Sequence, residues 1–253
     1  MTSAEKRTAL VTGSGKGVGA GVVRVLSSHG IRCCINCNTH PEMANDLLRE
    51  VEASGGEAFV YQADVTDIPQ IDGMVNAVIS RWGRLDILVN NAAMQPNLFI
   101  DQYDLEKLRK IWNINIGGYF HTARACLPYL KKSDCGRIVN ISSIHGKRPT
   151  CFDPGYAMTK GAIRMFTREL ALELFDDNIT VNAIDLGGCK IEFKTGNAPI
   201  TAFSPVECSN PAFGRFRLVT PPDVGELVYY LCSPEASAVT GDGIRLDKGW
   251  VLV

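Results

Sequence analysis

A tyrosine, a lysine and a serine in the second half of the chain have the types and spacing of a proton-transfer site. Tyr156 and Lys160 are four residues apart in the segment 154–162, so a helix would place them on one face. Ser143 precedes the tyrosine by thirteen residues and ends a predicted strand. A phenol, an ammonium group and a hydroxyl group together could move a proton to or from a carbonyl oxygen. Tyr-x-x-x-Lys also occurs by chance in many helices, so the assignment depends on what the rest of the chain builds.

The composition is that of a soluble globular protein with one large α/β domain. The 253 residues are 45% hydrophobic and 21% charged, and no apolar run approaches the length of a membrane-spanning helix. The formal net charge is -1 and there is no basic block, which argues against a nucleic-acid partner. The beginning of the sequence has no secretory pattern and the nine cysteines are an odd number, so we expect a reducing, cytoplasmic location.

Two of the cysteines have the Cys-x-x-Cys spacing of redox and zinc sites. Cys34 and Cys37 fall in a predicted strand, where residues three apart point to opposite faces. No second pair lies at ligand spacing. We therefore expect buried structural cysteines and no metal site.

A glycine-rich segment near the start has the pattern of a phosphate-binding loop. A predicted strand at 8–12 runs directly into Gly13-Ser14-Gly15-Lys16-Gly17-Val18-Gly19, and a predicted helix follows at 20–29. Glycines let the backbone turn tightly and approach a pyrophosphate, and the start of a helix offers free N–H groups. A plain turn is the alternative, but the position between strand and helix favours a dinucleotide cofactor.

The end of the second predicted strand, 31–37, bears on the choice between NAD and NADP. An acidic residue at this point binds the 2′-hydroxyl of NAD in dinucleotide folds. Here the residues are Asn36, Cys37, Asn38 and Thr39, and Lys16 in the glycine loop could reach a 2′-phosphate. Both features favour NADP, with NAD as the alternative if Lys16 is simply solvated.

The rest of the chain alternates between predicted strands and helices. Such an alternation with apolar strands predicts a parallel sheet that is covered by helices on both faces. The segment 186–215 is rich in Gly, Pro and Phe and is predicted to be an irregular lid over the substrate. The predicted strands are 57–62, 86–89, 136–141, 178–184 and 243–247, and the predicted helices are 41–54, 68–82, 105–130, 154–175 and 221–232.

Six motifs in order resemble the short-chain dehydrogenase/reductase family along essentially the whole chain. They are Thr12-Gly13-x-x-x-Gly17-x-Gly19, Asp64-Val65, Asn90-Asn91-Ala92, Asn115, Ser143 and Tyr156-x-x-x-Lys160. The resemblance implies a single-domain, doubly wound sheet of seven parallel strands. It also implies hydride transfer between a nicotinamide cofactor and a carbonyl or alcohol carbon.

The resemblance assigns roles to individual residues. Tyr156 would be the general acid or base, with its pKa lowered by Lys160 and by an oxidised nicotinamide; Ser143 would bind the substrate oxygen. Asn115 would hold a water that relays protons to Lys160, which would also bind the nicotinamide ribose. The implied cofactor contacts are Gly13, Ser14, Lys16, Gly17, Val18, Gly19, Asn38, Asp64, Val65, Asn91, Tyr156, Lys160 and Gly187.

The chain departs from the family pattern after the sixth strand. Leu186 replaces a proline, and Ile191 stands where a threonine that binds the carboxamide is expected. We expect backbone groups or another side chain to hold the carboxamide. Asp185 is unusual beside a nicotinamide site, and pairing with a nearby cation such as Lys190 is the favoured explanation. The C-terminal Asp-Gly-Gly of the family is Asp247-Lys248-Gly249 here.

The substrate end carries mixed polar side chains, which favours a polyol, sugar or sugar acid. Arg148, Lys190 and Glu192 contribute to this prediction; His145 is either a second polar contact or a plain loop residue. A 3-oxoacyl thioester reductase and a non-catalytic cofactor-binding sensor or scaffold are the alternatives. The family resemblance implies a homodimer or homotetramer joined through the helices at 105–130 and 154–175, with the tail 250–253 suited to burial at such an interface. Other guesses for the substrate end are Met94, Gln95, Cys151, Phe152, Asp153 and Phe193.

Overall fold

A seven-stranded parallel sheet forms the centre of the computed structural model, which describes residues 6–149, 153–195, 198–201 and 218–252. The strands of this sheet are β1 (Thr8–Val11), β2 (Arg32–Cys37), β3 (Ala58–Gln62), β4 (Ile87–Asn90), β5 (Arg137–Ile141), β6 (Thr180–Leu186) and β9 (Gly243–Leu246). Their order across the sheet is β3-β2-β1-β4-β5-β6-β9. The predicted doubly wound sheet is confirmed.

Helices cover both faces of this sheet. They are α1 (Gly17–Ser28), α2 (Pro41–Ala53), α3 (Ile68–Trp82), α4 (Leu105–Trp112), α5 (Gly118–Leu130), α6 (Pro154–Glu173) and α7 (Pro221–Cys232). In the described parts of the chain, no helix is both long enough and apolar enough to cross a membrane.

The central strands are buried because helices pack on both of their sides. Every residue of β1, β4 and β5 is buried, which matches their mostly apolar composition. One core joins the sheet to α1, α2 and α7, with Val22, Leu47 and Val228 among its members. The other joins it to α3, α5 and α6, with Met74 and Leu130 among its members. The sheet is therefore a rigid platform whose carboxyl-end loops meet along one edge.

The stretch predicted as one helix at 105–130 contains a wider π turn. The turn spans Asn113–Gly117, between α4 and α5. π turns inside helices are rare and often lie at functional sites. This turn includes Asn115, the mid-helix asparagine that the sequence singled out.

The predicted lid segment, 186–215, contains a two-stranded antiparallel sheet where irregular structure was predicted. Its strands are β7 (Glu192–Thr195) and β8 (Ala198–Thr201). The remainder of the predicted lid, 202–215, lies outside the described residues, so a lid function stays a prediction.

The cysteine prediction agrees with the structure. Cys34 and Cys37 are buried in β2, and burial raises the pKa of both thiols. Within the described ranges, no three His, Cys, Asp or Glu side chains lie close enough to share a metal ion. Both thiols are therefore buried, as the sequence predicted.

Candidate active site

A cavity of about 870 Å³ runs along the carboxyl ends of the strands. One end is lined by the glycine loop and the residues after β2, and the other by the residues after β5 and β6. Its lining includes most of the sequence-predicted site: Gly13, Lys16, Gly17, Val18, Asn38, Asp64, Val65, Asn91, Ser143, Tyr156, Lys160 and Gly187. The structure thus brings the glycine loop and the proton-transfer set into one cavity.

The glycine loop adopts a conformation that requires glycine at two points. Gly13 and Gly17 have φ angles of 59° and 60°, in the left-handed region. A Cβ on Gly13 would also lie 2.8 Å from Ala92 Cα. Lys16 then caps the start of α1, whose first N–H groups are the expected anion-binding donors.

Two predicted cofactor contacts in this loop do not line the cavity. The Ser14 hydroxyl is fully buried, donates to Val11 O at 2.7 Å and accepts from Asn36 N at 3.0 Å. Gly19 packs beneath the loop, where a Cβ would lie 2.6 Å from Asn91 Nδ2. Both residues support the loop from its buried side, and their contact with the cofactor stays a prediction.

Asn36, at the end of β2, supports the adenosine end of the cavity. Its side chain is buried, accepts from Gly13 N at 2.9 Å and donates to Ala63 O at 3.0 Å. It therefore holds the glycine loop in place. Asn38 is exposed, and its amide donates to Asp64 Oδ2 at 2.9 Å. Thr39 and His40 line the cavity beside it.

Thr12 is a supporting residue to which sequence reasoning gave no role of its own. Its hydroxyl accepts from Asn91 N at 2.9 Å and Ala92 N at 3.1 Å. The Asn91 amide in turn donates to the carbonyls of Thr12 and Gly13 at 2.9 Å each. These bonds join the loops after β1 and β4, the point at which the strand order reverses. The signal was present, because Thr12 directly precedes the glycine loop.

Lys160 is a buried cation at the centre of the cavity. Its Nζ donates to Ile141 O at 2.7 Å and lies 5.6 Å and 5.5 Å from the ring centres of Tyr119 and Tyr156. Burial lowers the pKa of Lys160 from 10.5 to about 7. The amine can therefore take up or release a proton near neutral pH.

Tyr156 is a buried phenol whose pKa is raised in the protein alone. Burial raises the pKa of Tyr156 to about 12, the Ser143 hydrogen bond acts in the other direction, and the Asp153 charge adds to the increase. In the protein alone, desolvation dominates and Lys160 Nζ donates to Ile141 O, so the lowering of this pKa by Lys160 and an oxidised nicotinamide stays a prediction. The phenol is accordingly held in its protonated form.

The two serines after β5 have different partners. Ser143 is hydrogen-bonded to Tyr156 and also accepts from His145 N at 3.2 Å. Ser142 donates to Lys160 O at 3.2 Å and so fixes the α6 backbone. The choice of Ser143 as the substrate-binding serine agrees with this arrangement. His145 lines the cavity, and burial lowers its pKa, so the imidazole is neutral at pH 7.

Asn115 lies behind the cavity wall. The π turn buries its side chain, which accepts from Met94 N at 2.9 Å and donates to Met94 O and Thr159 Oγ1 at 3.0 Å each. Asn115 thereby joins the loop after β4 to α6. These bonds show its structural part; the proposed water relay stays a prediction.

The end of β6 carries the ion pair that was predicted for Asp185. Asp185 pairs with a nearby cation, which is Arg164 on α6. Trp250 lines the cavity and packs over Gly188, where a Cβ would lie 2.6 Å from its ring; burial of the tail at an interface stays a prediction. A Cβ on Gly187 would lie 2.5 Å from Asp247 Cβ.

Known proteins share this architecture. The family model for short chain dehydrogenases matches residues 7–199. The chain belongs to the short-chain dehydrogenase/reductase family. Members of the family are NAD(P)-dependent oxidoreductases, and the chain is accordingly an enzyme of this type.

Relatives of this short-chain dehydrogenase act on several kinds of substrate. It is 31% identical to a D-beta-hydroxybutyrate dehydrogenase of Rhizobium meliloti (96% of this chain, 98% of the relative). It is 29% identical to a 3-oxoacyl-[acyl-carrier-protein] reductase of Synechocystis over the full length of both. A solved structure of a variant of actinorhodin polyketide ketoreductase with NADPH is 30% identical, with a TM-score of 0.86 and 98% of each chain covered.

The residues present in this short-chain dehydrogenase fit a dinucleotide. The turns at Gly13 and Gly17 keep side chains out of the cradle, and the cavity extends without interruption from there to Tyr156 and Lys160. The first turn of α1 would hold the pyrophosphate. The residues after β5 and β6 would hold the nicotinamide end.

Proposed function

We propose that this enzyme is an NADPH-preferring reductase of a small polar carbonyl compound, which also oxidises the corresponding alcohol. The observation that carries the proposal is the meeting of Ser143, Tyr156 and Lys160 in the cavity that begins at the glycine loop. A bound nicotinamide cofactor would supply or accept the hydride at the substrate carbon. The side chains of the protein would supply the proton and hold the substrate oxygen.

The proposed mechanism follows from the state of each side chain. Ser143 donates a hydrogen bond to the carbonyl oxygen, and Tyr156 gives that oxygen a proton as the carbon is reduced. Burial raises the pKa of Tyr156 to about 12, so near pH 7 the phenol is protonated and can donate. Lys160, whose pKa is about 7, then returns a proton to the Tyr156 phenolate. Asn115 keeps the loop at Met94 in register with α6.

The side chains at the substrate end favour a small, uncharged, hydroxylated compound such as a polyol or sugar. Gln95, Asn97 and His145 line this part of the cavity as neutral hydrogen-bonding groups. Arg148 and Lys190, which contributed to the predicted polar pocket, are exposed and do not line the cavity, and the side chain of Glu192 lies outside the described residues. Beside the catalytic set, the described polar side chains at this end therefore include two amides and an imidazole.

A substrate screen tests this function. Sugars, polyols, short 3-hydroxy and 3-oxo acids and a 3-oxoacyl thioester would be assayed with NADPH and NADP⁺. Turnover of polyols or sugars supports the proposal. Preference for the thioester would support the second candidate, a 3-oxoacyl reductase, which the similarity to the Synechocystis enzyme favours. No turnover with any compound would support a non-catalytic role.

Lys16 is expected to determine the preference for NADPH over NADH. It lines the cavity with Asn38 and Thr39, and the described residues that follow β2 and line the cavity include no carboxylate. The pKa of Glu42 is lowered by a backbone hydrogen bond, by His40 and by the charge of Lys16. A 2′-phosphate would therefore compete with the Glu42 carboxylate for the ammonium group of Lys16. We expect Lys16→Ala to raise the Kd of NADPH about tenfold, since one charge-assisted phosphate contact is lost.

Fluorescence titration with both cofactors measures this effect. The Kd of NADH should stay within about twofold, because NADH has no 2′-phosphate. Lys131→Ala, an exposed lysine paired with Asp177, is the matched control. An equal loss of affinity for both cofactors would show that Lys16 acts on the shared pyrophosphate. An unchanged Kd for NADPH would place Lys16 in solvent.

An exposed apolar face on α4, α5 and α6 supports the proposal of a homo-oligomer. Seven large side chains on or beside these helices are at least 39% exposed: Leu105, Trp112, Phe120, Met158, Met165, Leu172 and Phe175. On α6, Met158, Met165 and Leu172 repeat every seven residues and so share one face. Large exposed apolar patches on soluble proteins commonly mark sites of contact with other proteins.

Met165→Glu is expected to reduce the oligomer to smaller species. Burying a carboxylate at an apolar contact without a partner costs several kcal/mol, which exceeds the margin of many dimers. Light scattering coupled to size exclusion would give the mass. Ala53→Glu on the exposed side of α2 is the control and should leave the mass unchanged. A wild-type monomer would contradict the proposed assembly directly.

A further inference from the structure

Asp153 is a buried carboxylate with an unusual backbone conformation just before α6. It is fully buried, and its φ angle is 64°, in the left-handed region that side chains rarely adopt. A non-glycine residue in this region persists where its surroundings hold it, and such residues cluster at functional sites. Tyr156 follows Asp153 by three residues. The contacts that hold Asp153 in this conformation therefore also affect the position of the Tyr156 phenol.

The Asp153 carboxylate contacts three separate parts of the chain. It accepts from Tyr156 N at 3.1 Å, as the N-cap of α6, and from Asn97 N at 2.8 Å. It also accepts a hydrogen bond from the Tyr103 hydroxyl, and the Asp153 N–H donates to Leu98 O at 3.0 Å. Asn97 too has a left-handed φ, of 57°. The first turn of α6 is thus tied to the loop after β4, of which Gln95 and Asn97 line the cavity.

Gly155 makes room for this arrangement. A Cβ on Gly155 would lie 2.6 Å from Cζ and from the hydroxyl of Tyr103, so the ring of Tyr103 packs directly on the α6 backbone. Burial and the Asp153 charge raise the pKa of Tyr103, which keeps its hydroxyl a donor. Tyr103, Asp153 and Gly155 therefore form one unit, which we call the α6 clamp.

Charged and titratable groups reach Tyr156 from several elements. Lys160 lies on α6 itself and Tyr119 on α5, and Asp153 is at the start of α6. His145 follows β5, and the Asp153 charge acts on it as well. Asp153 is the one anion in this set as the structure describes it. Its negative charge opposes ionisation of the phenol.

We propose that Asp153 is a positioning residue for Tyr156, which fixes the first turn of α6, and with it the phenol, relative to the substrate loop. This role rests on the proposed function. Because the carboxylate is fully buried and is absent from the cavity lining, Asp153 acts through Tyr156 and does not contact the substrate.

Asp153→Asn tests this role, because the amide retains the size of the side chain and removes its charge. The pH dependence of kcat/KM for alcohol oxidation would be measured with the best substrate of the screen. We expect the ascending limb to move to lower pH by about half a unit or more, since loss of a nearby anion favours the phenolate. kcat for reduction should fall about tenfold through misplacement of the phenol. Asp67→Asn, at the N-cap of α3, is the control and should change neither quantity.

The outcomes separate the two proposals. If the wild type is active and Asp153→Asn changes neither the ascending limb of the pH profile nor kcat for reduction, the proposed role of Asp153 is wrong. The proposed function is unaffected by that result. A wild type with no turnover rejects the proposed function, and this role with it. If Asp153→Asn does not fold, Tyr103→Phe decides, because it removes one donor and keeps the charge. A reduced kcat with an unchanged Kd for NADPH supports the α6 clamp, and an unchanged kcat shows that Asp153 serves stability only.

Discussion

Tyr156→Phe is expected to lower turnover by about 10²- to 10⁴-fold, the range that a positioned general acid contributes. The phenol is the only group in the proposed mechanism that gives the substrate oxygen its proton. Burial raises its pKa to about 12, so near pH 7 the hydroxyl is protonated and ready to donate. Phenylalanine keeps the ring, and with it the contact to Lys160 at 5.5 Å, and removes the hydroxyl alone. Single-turnover assays would isolate the chemical step.

Cofactor binding should survive this change, which makes the result specific. The glycine loop and the residues after β2 are far along the cavity from Tyr156, so the Kd of NADPH is expected to stay within about threefold. Tyr230→Phe, on a half-exposed tyrosine of α7, is the matched control and should retain full activity. A Tyr156→Phe enzyme with normal turnover would refute the assignment of the proton donor. It would also remove the argument that the α6 clamp positions a proton donor.

Helix limits were predicted best where local signals mark both ends. α3 begins and ends as predicted, because Asp67 caps its start by accepting from Gln70 N and Gly83 ends it in a left-handed conformation. α7 also matches, with Thr220 and Asp223 forming a capping box. These signals depend on residues within a few positions of each helix end. For this reason they can be read from the sequence.

Long-range packing could not be predicted in the same way. The sequence pattern places Asn36 at the end of β2, but it does not predict that the Asn36 side chain accepts a hydrogen bond from Gly13 N. It places Asp185 at the end of β6, while the partner, Arg164, comes from the packing of α6 across the sheet. Trp250 lines the cavity because the last strand lies next to β6. Each of these facts depends on contacts between segments far apart in sequence.

The catalytic set shows the same division within one site. Its members could be chosen from spacing, since Tyr156 and Lys160 share a helix face and Ser143 ends a strand. Their protonation could not, because the pKa shifts come from complete burial by neighbouring elements. The sequence-based argument used the charge of Lys160 and missed its desolvation, which is the larger effect here. Asp153 was missed as a clamp because its partners Asn97 and Tyr103 lie about 50 residues earlier.

Lys160→Met is expected to abolish turnover and, at the same time, to stabilise the folded protein. Loss of the ammonium group removes the proton source for the phenolate and the ribose contact that family resemblance implies. The stabilisation arises because burying a charged amine is costly. Ile141 O, which accepts from Lys160 Nζ, also accepts from the Tyr119 hydroxyl at 2.9 Å, so methionine leaves no carbonyl unpaired there.

The pH dependence of this stabilisation has a definite sign. The pKa of Lys160 is about 7 in the folded protein and about 10.5 in the unfolded chain, so the unfolded state holds more protons between these values. The stability of the wild type therefore rises with pH above 7, while the penalty for the buried charge is largest below 7. We expect Lys160→Met to gain about 2 kcal/mol or more at pH 6 and much less at pH 9. Urea unfolding at fixed protein concentration would measure the free energy of unfolding, with Lys131→Met as the exposed control. If Lys160→Met is less stable than the wild type at pH 6, the contacts of the amine outweigh the cost of its desolvation.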